Sequence, residues 1–76
     1  IEFDEQHAII EVEVPEGWVG KSIGELNIRS KFGINILGIK HSGKTDVSIT
    51  PDTVLSKKTT ILALGEYKAL QKCFRI

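Results

Sequence analysis

The sequence has 76 residues, of which 41% are hydrophobic and 26% charged, and its ten basic and ten acidic residues balance to a net charge of zero. This length allows one domain, and the composition excludes an intrinsically disordered chain. The balanced charge argues against a domain dedicated to binding nucleic acid polymers, because such domains are normally strongly basic.

The first half of the chain predicts a strand followed by two short helices. Residues 7–14 are rich in β-branched side chains and alternate between apolar and polar at their end, which is typical of a half-buried strand. Ser22 and Glu25 have the spacing of a capping box, which predicts a helix start. Asn27 is a second candidate N-cap, and Gly33 is the expected left-handed end of the helix that follows it. The strand residues that we expect to face the core are Ala8, Ile10, Val12 and Val14.

The second half predicts three strands and a terminal helix. Residues 34–41 are apolar on both faces, so we expect a buried strand there, and a tight turn leads to a second strand over residues 45–50 with Val47 and Ile49 facing inward. The last strand covers residues 59–64. Leu55 is expected to fill the core, as is the helix face formed by Tyr67, Leu70 and Phe74.

This order of elements indicates an α+β fold, a compact sandwich in which a mostly antiparallel β-sheet carries short helices on one face. We expect residues 1–76 to form a single domain. The sequence begins at Ile1 and contains no methionine, so we also expect it to be a piece of a longer protein.

Enzymatic and metal-binding chemistry find little support in the residue pattern. His7 and His41 lie far apart, with no cysteine or carboxylate at ligand spacing, so we expect no zinc site. The single cysteine, Cys73, cannot form an intrachain disulfide, which fits a reducing cytoplasm. We expect it to be a structural thiol at least partly buried rather than a nucleophile, and we expect no enzyme activity.

One stretch has the residue spacing of a phosphate-binding P-loop but not its structural context. Residues 38–45 read G-x-x-x-x-G-K-T. A P-loop must lead into a long helix, whereas residues 46–50 alternate with β-branched side chains. We therefore expect a hairpin turn at this place.

A better candidate for binding an anion lies around the two short helices. Arg29 comes early in the second predicted helix, and Asn35 follows the Gly33 stop. Apolar walls with one guanidinium suit a ligand that has a phosphate and a planar base. Residue types alone favour the simpler alternative, a surface arginine in a salt bridge and an asparagine at a strand edge. The apolar residues expected nearby are Ile23, Ile36 and Pro51.

Four segments in this order resemble one protein family. Residues 19–29 read V-G-K-S-I-G-E-L-N-I-R, residues 33–39 read G-I-N-I-L-G-I, and residues 51–55 read P-D-T-V-L, after a strand A-I-I-E-V-E-V-P at residues 8–15. Together they resemble the C-terminal RCK (TrkA-C) subdomain, and within it the regulatory subunits of bacterial Ktr potassium uptake systems. The resemblance covers nearly the whole chain. It departs where the family usually has Gly-Asp before the last strand and this chain has Lys57-Lys58.

The resemblance implies a regulatory domain that forms a homodimer and joins a larger ring in the full-length protein. It implies a membrane potassium-translocating subunit as partner, and hence a cytoplasmic protein at the inner face of the membrane. It also implies that cyclic di-AMP binds at the dimer interface and lowers potassium uptake. The positions that match such a site are Ile23, Arg29, Asn35, Ile36 and Pro51.

Several other expectations follow from the resemblance. No cofactor is expected in this domain, and any ATP, ADP or NAD would bind the missing N-terminal domain. The alternative function is a purely structural dimerisation module of the ring, without a small-molecule ligand. A sensor of small anions or metals on another transporter would need clustered ligands that this chain lacks.

Overall fold

The computed structural model describes residues 1–2 and 4–76, which form one antiparallel four-stranded sheet with three short α-helices and a 3-10 turn at Glu16–Trp18. The strand order in the sheet is β1-β4-β2-β3. The strands are β1 (His7–Glu13), β2 (Asn35–His41), β3 (Lys44–Asp46) and β4 (Thr60–Glu66), and the helices are α1 (Ile23–Leu26), α2 (Ile28–Phe32) and α3 (Tyr67–Phe74).

The core lies on one face of the sheet. Ala63 of β4 stands opposite Ile10 of β1 on one side and Ile36 of β2 on the other. Directly opposed residues of antiparallel strands point to the same face, so these three side chains share the core face. The charged residues of β1 point the other way, where Glu11 forms an exposed ion pair of 3.9 Å with Lys40.

All three helices contribute to the core that this face builds. Leu26, Ile28 and Leu70 come from α1, α2 and α3 in turn and belong to the same buried cluster as Ile61 and Ala63 of the sheet. Burying an apolar side chain of this size contributes about 1.5–3 kcal/mol. The predicted fold class, an antiparallel sheet with short helices on one face, is confirmed.

The sequence predicted β1 and the start of α1 correctly. Ala8 is buried, and Ile10, Val12 and Val14 pack against the core. The capping box is formed as expected: the Glu25 amide donates to Ser22 Oγ at 3.2 Å, and the Ser22 amide donates to Glu25 Oε1 at 2.7 Å.

The strand predicted over residues 45–50 is wrong beyond Asp46. The strand β3 ends at Asp46, whose side-chain oxygen accepts a hydrogen bond of 2.8 Å from the Ser48 amide. This local turn competes with the sheet ladder and releases the chain from β2. As a result Val47 is 70% exposed instead of facing inward, whereas Ile49 is half-buried as predicted.

Three further side chains differ from expectation. Leu37 is 38% exposed because β2 is irregular between Ile36 and Gly38 and its outer face is open. Tyr67, at the first position of α3, is 37% exposed rather than in the core. Asn27 precedes α2 as predicted, but its side chain forms no capping hydrogen bond, because its backbone is left-handed (φ 53°) and serves as the end of α1.

The C-terminal helix and the hairpin follow the sequence prediction. Leu70 is buried, and Phe74 stacks at a tilt on Trp18 with 5.3 Å between ring centroids. Cys73 is half-buried and free, and burial raises the pKa of its thiol, which disfavours a reactive thiolate. The G-K-T stretch forms the β2–β3 hairpin, with His41 paired to Lys44, so it is not a P-loop.

Candidate functional site

A surface groove of about 290 Å³ opens where the corner between α1 and α2 meets the start of β2 and residues 49–51. Its volume is near the lower end of the range of about 300–1,000 Å³ that small-molecule sites occupy. The lining residues are Ile23, Gly24, Asn27, Ile28, Arg29, Ile34, Asn35, Ile36, Ile49, Thr50 and Pro51.

The structure brings all five predicted site residues to this groove: Ile23, Arg29, Asn35, Ile36 and Pro51. They come from three separate parts of the chain. The left-handed Asn27 turns the chain between α1 and α2, which lets both helices contribute to one corner. Gly33, with φ 71°, ends α2 and directs the chain into β2, so residues before and after the stop face the same space.

Pro51 reaches the groove because residues 20–24 pair with residues 51–55. The Gly24 amide donates to the Pro51 carbonyl at 2.7 Å, and the Ile23 amide donates to the Thr53 carbonyl at 2.9 Å. Leu55 continues the pairing, donating to the Lys21 carbonyl at 2.9 Å. We call this paired segment, residues 20–24 and 51–55, the strap. It holds Pro51 against α1 as one wall of the groove.

Among the described residues that line the groove, Arg29 is the one that carries a charge. Its side chain is exposed, and within residues 1–2 and 4–76 no carboxylate forms an ion pair with it. The surface salt bridge of the simpler alternative is therefore not formed within a single copy of the described chain. The described lining thus offers one positive charge and no carboxylate, which suits an anionic ligand.

The apolar walls and the amides of the groove come from neighbouring positions. Asn35 pairs with Leu64 and Ile36 with Ala63, so the two residues alternate across the sheet at the start of β2. Both are half-buried, and both line the groove. Since β3 pairs only with residues 39–41, this part of β2 has no strand on its groove side among the described residues.

Six lining residues are not among the predicted site residues: Gly24, Asn27, Ile28, Ile34, Ile49 and Thr50. The sequence pattern assigns Asn27 to helix capping, yet its side chain is free of that role. The same pattern assigns Ile49 and Thr50 to a strand that in fact ends earlier. The Thr-Pro-Asp-Thr sequence of residues 50–53 could have indicated the turn that brings Thr50 to the groove. In this turn the Thr50 hydroxyl accepts from the Asp52 amide at 3.2 Å, and the Thr50 amide donates to Thr53 Oγ1 at 2.9 Å.

The capping box is expected to support this wall of the groove. We predict that Ser22→Ala lowers the free energy of unfolding by about 1 kcal/mol, since the hydroxyl satisfies a free amide at the start of α1. Urea denaturation followed by circular dichroism measures the change. Ser22→Thr keeps the oxygen acceptor and should stay within about 0.5 kcal/mol of the parent. Equal stabilities of the alanine and parent chains would contradict the prediction.

Two further properties of the described residues bear on function. No group of three or more His, Cys, Asp or Glu side chains in them is arranged to hold a metal ion. None of the helices in this part of the chain combines the length and the apolar character that crossing a lipid bilayer requires.

Comparison with known proteins identifies one family for this chain. The sequence model described as TrkA-C domain matches residues 8–76. Ktr system potassium uptake protein A of Bacillus subtilis (strain 168) is 29% identical over 72 residues, which are 95% of this chain and 32% of that protein. The chain thus spans about a third of the length of the curated relatives it matches.

Two solved structures extend the comparison to folded domains. The RCK C domain of the potassium transport protein KtrA, in complex with cyclic diadenosine monophosphate (c-di-AMP), matches with a TM-score of 0.85 and 30% identity, over 91% of this chain and 81% of that one. The RCK_C domain dimer of S. agalactiae BusR, in complex with c-di-AMP, matches with a TM-score of 0.70 and 32% identity, over 92% of this chain and 90% of that one.

Proposed function

We propose that this chain, which belongs to the TrkA-C domain family, is the ligand-sensing domain of a potassium-transport gating subunit and binds cyclic di-AMP between two copies of itself. The observation that carries the proposal is the groove, in which Arg29 brings a positive charge to otherwise apolar and amide-lined walls. The ligand-bound KtrA and BusR domains support the choice of ligand.

The chemistry of cyclic di-AMP matches what the groove offers. The ligand has two phosphates and two adenines, so it needs cations for the phosphates and flat apolar surfaces for the bases. In the proposal Arg29 binds a phosphate through charge-assisted hydrogen bonds, each of which contributes about 1.5–3 kcal/mol. Ile23, Ile36 and Pro51 cover an adenine, and the amide of Asn35 donates to or accepts from the ligand.

Symmetry explains why two chains are needed. Cyclic di-AMP has a two-fold axis, and a homodimer with the same symmetry presents each side chain twice. A single groove of about 290 Å³ is then one half of the site. Each copy of Arg29 meets one phosphate, and each set of apolar walls covers one base.

Ligand binding regulates the protein in this proposal because it favours one geometry of the dimer. A ligand that contacts both copies favours the one arrangement of the dimer in which both grooves face it. In the full-length protein this domain follows an N-terminal half that would hold any ATP, ADP or NAD, and the ring docks on a membrane potassium-translocating subunit at the cytoplasmic face. Cyclic di-AMP then lowers potassium uptake. The similarity of the chain to the Ktr system potassium uptake proteins A and C supports a transport subunit over a BusR-like protein.

Thermal unfolding with a panel of nucleotides tests the proposal. We expect cyclic di-AMP to raise the midpoint, while AMP, ATP and NAD leave it within error, because a ligand that binds the folded state stabilises it by about 2.7 kcal/mol at 100 times its dissociation constant. Titration calorimetry should then give one ligand for two chains.

The alternative function, a purely structural dimerisation module, predicts a different result. A dimer whose midpoint does not move with any nucleotide in the panel would support that alternative and contradict ligand sensing. One ligand bound for each single chain would contradict the shared site.

A further inference from the structure

Gly24 occupies a helix position at which glycine lowers helix stability and at which the backbone conformation does not require a glycine. It is the second residue of α1, and its φ is in the ordinary helical range, unlike the positive φ of Gly20, Gly33 and Gly43. Alanine is the better helix former at such a position. The reason for a glycine must therefore be what surrounds it.

Pro51 approaches Gly24 so closely that a side chain at position 24 would make a tighter contact than nearly all side chains in proteins do. A Cβ built on Gly24 would lie 3.0 Å from the Pro51 carbonyl oxygen and 3.1 Å from the Pro51 Cβ. The oxygen is a backbone atom that also accepts the Gly24 amide at 2.7 Å. Because that carbonyl belongs to the strap, it moves only if the turn of residues 50–53 moves with it.

From this contact we infer that Gly24 is a positioning residue, which sets the width of the groove by letting Pro51 pack directly on α1. The part of the inference that concerns the ligand rests on the function proposed above. Gly24 and Pro51 both line the groove, and Ile23 stands next to Gly24 on the same helix. The separation of the Ile23 and Pro51 walls therefore depends on this contact, which lies at the groove end of the strap.

A methyl group at position 24 would widen that separation. The Pro51 turn would have to retreat by a few tenths of an ångström, and the 2.7 Å hydrogen bond would lengthen. Apolar walls lose contact energy steeply with such gaps, since dispersion attraction falls off sharply beyond the optimal distance. In a two-fold site the loss occurs twice for each ligand.

The test compares Gly24→Ala with Gly17→Ala. Gly17 is a matched control because it also lies in a short helical turn, at Glu16–Trp18, has no positive φ, and has no described atom within 4 Å of the position that an added methyl group would take. Calorimetry should show cyclic di-AMP binding about tenfold weaker for Gly24→Ala and unchanged for Gly17→Ala. In the ligand-free chain, the amide of residue 24 should exchange with solvent at least tenfold faster in Gly24→Ala, while the Leu55 amide of the strap keeps its protection.

The two readouts separate this inference from the proposed function. Unchanged exchange at residue 24 would overturn the positioning role whether or not a ligand binds. Faster exchange with cyclic di-AMP affinity within threefold of the parent would overturn the control of ligand affinity. A parent chain that does not bind cyclic di-AMP would overturn the proposed function, and the exchange rates would still decide whether Gly24 holds the Pro51 wall.

Discussion

Arg29→Ala is expected to weaken cyclic di-AMP binding by at least about 100-fold. Each arginine removed takes away a charge-assisted hydrogen bond worth about 1.5–3 kcal/mol, and the proposed site contains two copies, which gives about 3–6 kcal/mol. Since about 1.4 kcal/mol corresponds to a tenfold change in affinity, the lower bound is about two orders of magnitude. Arg29 is exposed and outside the core cluster, so the thermal midpoint without ligand should change little.

Lys31→Ala is the matched control for this experiment. Lys31 lies on the same helix, is exposed and carries the same charge, but does not line the groove. Its loss should change the affinity by less than threefold. Arg29→Lys should fall between the two, because an ammonium keeps the charge without the planar fork that grips a phosphate with two hydrogen bonds. Parent-like affinity in Arg29→Ala would remove the phosphate role of this residue.

Leu55→Ala is expected to cause a large loss of stability at a position outside the sheet. Leu55 is 1% exposed and packs in the core cluster, and its backbone holds the strap through bonds to Gly20 and Lys21. Truncating a buried leucine to alanine typically costs about 2–5 kcal/mol. For a domain of this size each kcal/mol lowers the thermal midpoint by about 4–8 °C. We therefore expect a fall of at least about 8 °C.

Val54→Ala is the control at the neighbouring position. Val54 is 57% exposed, so truncating its side chain to alanine should change the free energy of unfolding by no more than about 0.5 kcal/mol. If Leu55→Ala does not fold, Leu55→Met keeps nearly the same volume and should cost less than about 1.5 kcal/mol. A stability loss in Val54→Ala equal to that of Leu55→Ala would contradict the assignment of Leu55 to the core.

Local signals in the sequence predicted most of the fold. These signals are the β-branched, partly alternating pattern of residues 7–14, the Ser22–Glu25 spacing and the Gly33 stop. Each depends on residues close together in the sequence, and the strand, the capping box and the helix end are all present. The errors arise where a short-range polar interaction competes with a longer pattern. Asp46 turns the chain and exposes Val47, although the alternation continues to residue 50.

Local patterns in the sequence encode only part of the groove. Asn35 and Ile36 come close to Arg29 because of the Gly33 stop, which is a readable signal. The position of Pro51 depends instead on the strap, whose hydrogen bonds join residues about 30 positions apart. Family resemblance points to Pro51, and its contact with Gly24 becomes visible only in three dimensions.

A crystal structure of this chain grown with cyclic di-AMP tests the central claim most directly. We predict one ligand on the two-fold axis of a homodimer, with an Arg29 guanidinium from each copy within hydrogen-bonding distance of one phosphate and an adenine against Ile23, Ile36 and Pro51 of each groove. A ligand bound away from this groove, or a dimer that buries the groove with no ligand in it at saturating concentration, would contradict the account.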